Sequence, residues 1–312
     1  MRVVDAATIE RVLDYPGLVA ALADAFRGRV VAPPRHHHTL PRADGDATLL
    51  LMPAWEDSGG AAGVKIVSVF PGNAARGLAT VLGSYLLLDG ATGAPKAVLD
   101  GRVLTLWRTA AASALAATHL ARADARRLVM VGAGALAPRL VAAHASVRPI
   151  DTVAIWNRTP ARAESLAREI ARPGLAVTVA GDLATAVAGA DIVSVATMSP
   201  EPLVRGEWLR PGVHLDLVGA YTPAMREADD AAVRRARVFI DTPAALREAG
   251  DIVQPVAAGA IAEADLAGDL AGLCRGTVPG RESAGEITLF KSVGAAIEDL
   301  AAAVLVARRL DP

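Results

Sequence analysis

The chain has 312 residues, a formal net charge of −1 at neutral pH, 53% hydrophobic residues and 21% charged ones. That length accommodates two domains of ordinary size, and the composition favours a large buried core over disorder. With no long basic run, the charge gives no footing for nucleic acid or an anionic membrane surface. A single cysteine, Cys274, excludes an internal disulfide and a multi-cysteine metal site, and it fits a reducing cytoplasm.

The N-terminus "MRVVDAATIERVLDYPGLVAALADAF" carries acids throughout, so it does not read as a signal peptide. No stretch approaches the roughly 20 uninterrupted apolar residues of a membrane span. A first helix is expected from Ala6 to about Phe26. The runs "ATLLLMPAWE", "AAGVKIVSVFP" and "TVLGSYLLLDGATGAPKAVLDG" follow, the last with a hairpin connection around "DGATG". They predict a mixed or largely antiparallel sheet. The long helix "LTLWRTAAASALAATHLA" then leads onward.

From residue 128 the pattern changes. "LVMVGAG", "TVAIWNRT", "LAVTVAG", "DIVSVAT", "VHLDLVGA" and "RVFIDT" give six apolar strand candidates separated by helical segments. Nearly continuous apolar runs suit a parallel sheet covered on both faces. Thr159 stands at a cap position before Pro160, and Asp182 caps the next helix. The expected fold class is α/β: a Rossmann dinucleotide-binding domain over 116–290, plus a discontinuous α+β substrate and dimerisation domain over 1–115 and 291–312. The terminal "EITLFKSVGAAIEDLAAAVLVARRL", a strand-like run and a long helix, is expected to return to the first domain.

"GAGALA" fits G-x-G-x-x-G/A through Gly132, Gly134 and Ala137, with Ala135 and Leu136 between them. The first glycine permits a tight turn, and the second admits the pyrophosphate to the backbone. The small third residue allows close helix packing, and the helix N-terminus favours the phosphate charge. At the end of the second strand stand Asn157, Arg158 and Thr159 instead of the acid that commonly meets ribose hydroxyls. Arg158 can pair with a 2′-phosphate, so NADPH is the preferred cofactor, with NADH as the alternative.

Three charged residues sit in apolar company: Lys65 in "GVKIVSVFPGN", Arg108 in "LTLWRTAAASALA" and Arg35 in "APPRHHHTL". Each is either a snorkelling or internally paired side chain, or a cation facing an anionic ligand. The histidines at 36–38 alternate in direction on a strand and lack a recognised metal-ligand spacing. They read as loop or strand-edge residues, and no metal is expected.

Taken in order, "GVKIVSVFPGN", "LLLDGATGAPKAVLDG", "LTLWRTAAASALA", "GAGALA", "IWNRT" and "EITLFKSVGAAIEDLAAA" resemble the ornithine cyclodeaminase/mu-crystallin family over essentially the whole chain. The resemblance implies a homodimer in which the N-terminal half serves the substrate and the Rossmann half serves the nicotinamide. It implies that Arg35, Lys65 and Arg108 gather around a substrate carboxylate and its α-carbon, with Lys65 and Arg108 catalytic. It also implies cofactor contacts from Thr109, the 132–137 loop, Asn157, Arg158, Thr159, Thr197, Val218, Gly219 and Ser292.

Within that resemblance, cyclodeaminases carry an aspartate where this chain has Ala220 and then Tyr221. A tyrosine offers no negative charge near neutral pH for a δ-amine. "VGAYTP" and "NRT" are closer to ketimine-reductase members, with Tyr221 lining or closing the pocket. The expected reaction is NAD(P)H-dependent reduction of a small cyclic imino acid. The leading substrate is Δ1-pyrroline-2-carboxylate, giving L-proline, with Δ1-piperideine-2-carboxylate, giving L-pipecolate, as a further one. The alternatives are an ornithine cyclodeaminase, an amino-acid dehydrogenase, or a non-catalytic crystallin-like protein holding NADP(H) and a small carboxylate. Tyr221 remote from the cleft, together with another carboxylate beside Lys65, would favour the cyclodeaminase. Asp216, on a strand, reads as structural.

Overall fold

The computed structural model describes residues 1–42 and 45–311, with the side chain of Ala74 set aside. Two compact units divide it, one made of Met1–Thr109 and Ala295–Pro312, the other of Ala110–Gly294. These divisions differ from the expected 115/116 and 290/291.

The first unit opens with β1 (Arg2–Val4), α1 (Ala6–Val12) and α2 (Tyr15–Arg27). One helix was expected here, and the structure breaks it at Leu13, whose backbone is extended. The cause is local: Asp14 caps α2 by accepting from the Gly17 N–H at 2.7 Å, and Pro16 occupies the first turn. Next come β2 (Val30–Val31), β3 (His36–Leu40), β4 (Ala47–Glu56), β5 (Ala61–Val69), β6 (Val81–Asp89) and β7 (Pro95–Asp100). Their order is β1-β7-β6-β5-β4-β2, with β3 also on β4, and every pair is antiparallel except β1–β7. The "DGATG" stretch closes the β6–β7 hairpin, where Asp89 accepts from the backbone of Ala91 and Thr92. Helix α3 (Gly101–Leu120) carries the chain past the division between the units.

The second unit alternates β8 (Arg127–Val131), α4 (Ala137–Val147), β9 (Thr152–Trp156), α5 (Pro160–Ile170), β10 (Ala176–Val179), α6 (Leu183–Gly189) and β11 (Ile192–Val195). It continues with β12 (His214–Leu217), α7 (Asp230–Arg235), β13 (Arg237–Ile240), α8 (Ala245–Glu248), α9 (Gly250–Ala257), β14 (Gly268–Asp269), α10 (Leu270–Arg275) and β15 (Thr288–Lys291). The eight strands are all parallel, in the order β10-β9-β8-β11-β12-β15-β13-β14. Strands β8, β11, β12 and β15 are almost wholly buried, as a sheet covered on both faces requires. This is a doubly wound Rossmann sheet, with the strand order reversing between β8 and β11.

Strand β15 corrects one expectation. Instead of returning to the first domain, "TLFK" inserts between β12 and β13, because a fully buried apolar run is most stable where two neighbours satisfy both backbone edges. The return begins at Ala295, and α11 (Ala296–Leu310) packs across β4, β5, β6 and α2. Asp182 caps α6 through the Thr185 N–H, but Thr159 makes no side-chain cap on α5.

Candidate active site

In the first unit, strand alternation decides which way Lys65 points. The register Met52–Lys65–Tyr85 across β4, β5 and β6 puts these side chains on the face covered by α11. Lys65 is only 2% exposed, and its Nζ lies 2.8 Å from Asp299 Oδ2. Arg108 reaches the same carboxylate from α3, with Nε 3.0 Å from Asp299 Oδ1, and its NH1 donates to Glu298 Oε2 at 2.6 Å. Two cations and two carboxylates, each nearly or wholly buried, thus form one cluster.

Burial pulls the Lys65 ammonium down to about 8, with the Arg108 charge acting in the same direction and Asp299 opposing both. For Arg108, burial again works against the charge, but Asp299 and Glu298 more than offset it and hold the guanidinium firmly protonated. Tyr85 lies beside Lys65 in the sheet. Burial, and then the charge of Asp299, keep its hydroxyl neutral well beyond its ordinary range. The cluster therefore offers a permanently charged fork next to an ammonium that can lose its proton near neutral pH. That pairing suits a small carboxylate with a titrating nitrogen beside it.

In the second unit, the loop after β8 has the geometry of a dinucleotide cradle. Gly132 adopts φ 110°, and a Cβ there would stand 2.5 Å from the Ala196 carbonyl oxygen, so glycine is required twice over. Nothing stands within 4 Å of the Cβ position of Gly134, which leaves the backbone open to a ligand. Helix α4 starts at Ala137 with Leu136 as N-cap, and Leu136 makes no side-chain capping bond. An apolar cap leaves the positive end of the helix to an outside anion. Ala196 donates its N–H to the Val131 carbonyl, which brings the loop after β11 against the loop after β8. The residues present fit a nicotinamide dinucleotide on these loops.

The other sequence-selected residues fall as follows. Asn157 donates from its side chain to the Thr159 carbonyl at 3.0 Å, shaping the turn after β9, and Arg158 is exposed at its tip. Thr197 and Gly219 meet through a residue absent from the sequence reading, Glu227, which accepts from both backbones. Val218 and Ser292 are buried at the ends of β12 and β15, and the Ser292 hydroxyl has no hydrogen-bond partner. Thr109 is half-buried on α3, Arg35 half-buried just before β3, and Tyr221 is 47% exposed. His36 and His38 share one face of β3, with ring centroids 6.5 Å apart. Among the described residues no group of three or more His, Cys, Asp or Glu side chains could hold a metal ion. No described helix is long and apolar enough to cross a membrane.

Glu298 and Asp299 were also missed, though "AIEDLAAA" places two acids in an apolar run. The same reasoning that marked Arg108 would have marked them as its partners. Lys291, ending an apolar strand, carried the same signal.

Residues 2–311 match the model of the "Ornithine cyclodeaminase/mu-crystallin family". The chain belongs to that family. A curated member, the Delta(1)-pyrroline-2-carboxylate reductase of Paracoccus denitrificans, is 42% identical over 284 residues, covering 88% of this chain and 90% of its own. Among solved structures, the Thermococcus litoralis Delta(1)-pyrroline-2-carboxylate reductase in complex with NADH and L-proline superposes with a TM-score of 0.92. It is 34% identical, with 99% of this chain and 97% of that one covered. An archaeal alanine dehydrogenase dimer with bound NAD gives a TM-score of 0.90 at 30% identity, covering 99% and 95%.

Proposed function

We propose that the chain is a nicotinamide-dependent oxidoreductase that reduces a small cyclic ketimine carboxylate, Δ1-pyrroline-2-carboxylate first, to the corresponding cyclic amino acid. The observation that carries this reading is the buried Lys65–Arg108 pair, in a chain that also builds the dinucleotide cradle around Gly132. The similarity to reductases over nearly the whole chain supports it.

Arg108 holds the substrate carboxylate, and its guanidinium keeps its charge at every working pH. Lys65, at about 8, is mostly protonated at neutral pH and stands ready to donate toward the imine nitrogen. The bound dinucleotide supplies the hydride. Glu298 and Asp299 fix both cations in orientation, so the substrate meets a preformed site and little ordering remains at binding. Arg35 is proposed as a third cation for the carboxylate, and Tyr221 as a further substrate-binding residue. Thr109, Asn157, Thr159, Thr197, Val218, Gly219 and Ser292 contact the dinucleotide. Arg158, exposed and without a neighbouring acid in "WNRT", favours NADPH through its 2′-phosphate.

The chain acts as a homodimer in the cytoplasm. Leu51, Trp55, Ile66, Leu82 and Leu86 alternate onto the sheet face opposite Lys65, and Trp55, Ile66 and Leu82 are each at least 39% exposed. A second copy of the chain covers this apolar face, as symmetric self-association favours.

One observation favours a second reading, ornithine cyclodeamination: Asp299 is a carboxylate beside Lys65. It is already bonded to two cations, however, which leaves it poorly disposed toward a third, the δ-amine of ornithine. Purified protein should oxidise NADPH or NADH with Δ1-pyrroline-2-carboxylate and release no ammonia from L-ornithine with NAD. Ammonia release without imine reduction would replace the first reading by the second.

A further inference from the structure

A second buried ionic group lies in the Rossmann unit. Glu227 is fully buried and spends both carboxylate oxygens on the backbone of two loops. Oε1 accepts from the Thr197 N–H at 2.7 Å and the Thr197 hydroxyl at 2.9 Å. Oε2 accepts from the N–H groups of Gly219 at 2.8 Å and Ala220 at 3.2 Å. These are the loops that leave β11 and β12 at their carboxyl ends. Their approach is so close that a Cβ on Gly219 would stand 1.9 Å from the Thr197 carbonyl oxygen. Glu227 is itself held in place. Asp251 on α9 accepts from the Glu227 and Ala228 N–H groups at 2.7 and 3.0 Å, and Lys291 on β15 lies 3.1 Å from Asp251 and 3.7 Å from Glu227.

We propose that Glu227 is a positioning residue for the cofactor, clamping the loops at Thr197 and Gly219–Ala220 into the conformation that receives the dinucleotide. This rests on the reading above that those loops contact the cofactor. A carboxylate is needed because all four groups facing it are donors, and neither an amide nor a protonated acid can accept from all of them. Lys291 and Asp251 are the charged groups packed against it, one cation between two acids. Burial, with the Asp251 charge adding to it and Lys291 opposing, raises the Glu227 carboxyl to about 7. Below that pH Glu227 gains a proton, and one of its oxygens becomes a donor set against donors.

Removing a negative charge would by itself tighten an anionic ligand, whereas loosening the clamp weakens it. The two effects therefore have opposite signs and can be separated. The test is calorimetric titration with NAD, whose diphosphate does not titrate in this range, at pH 8 and pH 6 and constant ionic strength. The expected result is binding about five- to tenfold weaker for Glu227→Gln than for the natural protein at pH 8, from the loss of charge-assisted bonds. The natural protein should itself weaken toward pH 6, and the variant should not. In turnover the variant should raise the cofactor KM and leave kcat nearly unchanged. Glu227→Gln also removes an uncompensated buried charge, so a thermal melt should show a folded protein. Should it fail to fold, the pH response of the natural protein stands as the test. Equal or tighter binding by the folded variant at pH 8, or natural-protein affinity that holds or rises at pH 6, would overturn the proposal. If the natural protein binds no dinucleotide at either pH, the cofactor reading falls first.

Discussion

The two buried ionic clusters are built on opposite plans. In the first unit Lys65 and Arg108 face Glu298 and Asp299, so cations and carboxylates balance, and every bond among them runs between side chains. In the second unit Lys291 faces both Glu227 and Asp251, so one acid is uncompensated, and the acids bond to backbone N–H groups. In both clusters burial is the largest cause of the shift, and the like-charged neighbour adds to it. In the balanced cluster it is the lysine that is pulled toward neutrality, and in the acidic one it is a carboxyl that is pushed up. A cluster of side chains can present chemistry to a ligand, whereas one anchored to backbone amides shapes loops. On the proposed roles, the difference separates a reacting site from its scaffold.

The largest effect that would break this comparison comes from Asp299, which is shared by both cations. Asp299→Ala leaves Lys65 and Arg108 buried with one acid between them. It should cost about 3–5 kcal/mol of stability, read from denaturant unfolding, because an uncompensated buried charge is the dominant penalty. A loss below about 1 kcal/mol, the range of an exposed pair, would mean that the cluster is open to water. Arg158→Ala tests the contact proposed for an exposed residue in the other unit. The ratio of kcat/KM for NADPH over NADH should fall about tenfold, equivalent to about 1.4 kcal/mol. An unchanged ratio would remove Arg158 from the cofactor site. The smallest effect contrasts two helix starts. Asp182→Ala should lose about 1 kcal/mol, since it caps α6, while Thr159→Ala should lose almost nothing, since it makes no capping bond.

How much could be read in advance depended on whether the signal was local. "GAGALA" after an apolar strand specified a strand, a glycine turn and a helix, and the structure builds all three in sequence. Lys65 and Arg108 were marked as charges in need of partners or ligands. The partners lie 234 and 191 residues away, and no local rule names them. Glu227 escaped for a related reason: "MREADDAAV" looks like a solvated acidic stretch, and its burial follows only from the convergence of β11, β12 and β15. The terminal segment was expected to return whole, strand included, because an apolar run states that it is buried but not in which sheet. The break at Leu13 is legible in "DYPG", where Asp14 is the cap and Pro16 stands in the first turn of α2.

The role proposed for Lys65, an ammonium that gives up its proton near pH 8, is tested most directly by the pH profile of kcat/KM for Δ1-pyrroline-2-carboxylate. On the proposed role the protonated form is the active one, and since it predominates below about 8, kcat/KM should fall as pH rises through that value. In Lys65→Arg that limb should disappear, because a guanidinium keeps its proton, while any limb belonging to the substrate's own nitrogen stays in place. A limb near 8 present in the natural protein and absent from the variant is the predicted result. Superimposable profiles for the two proteins would contradict the assignment of Lys65 to the chemistry.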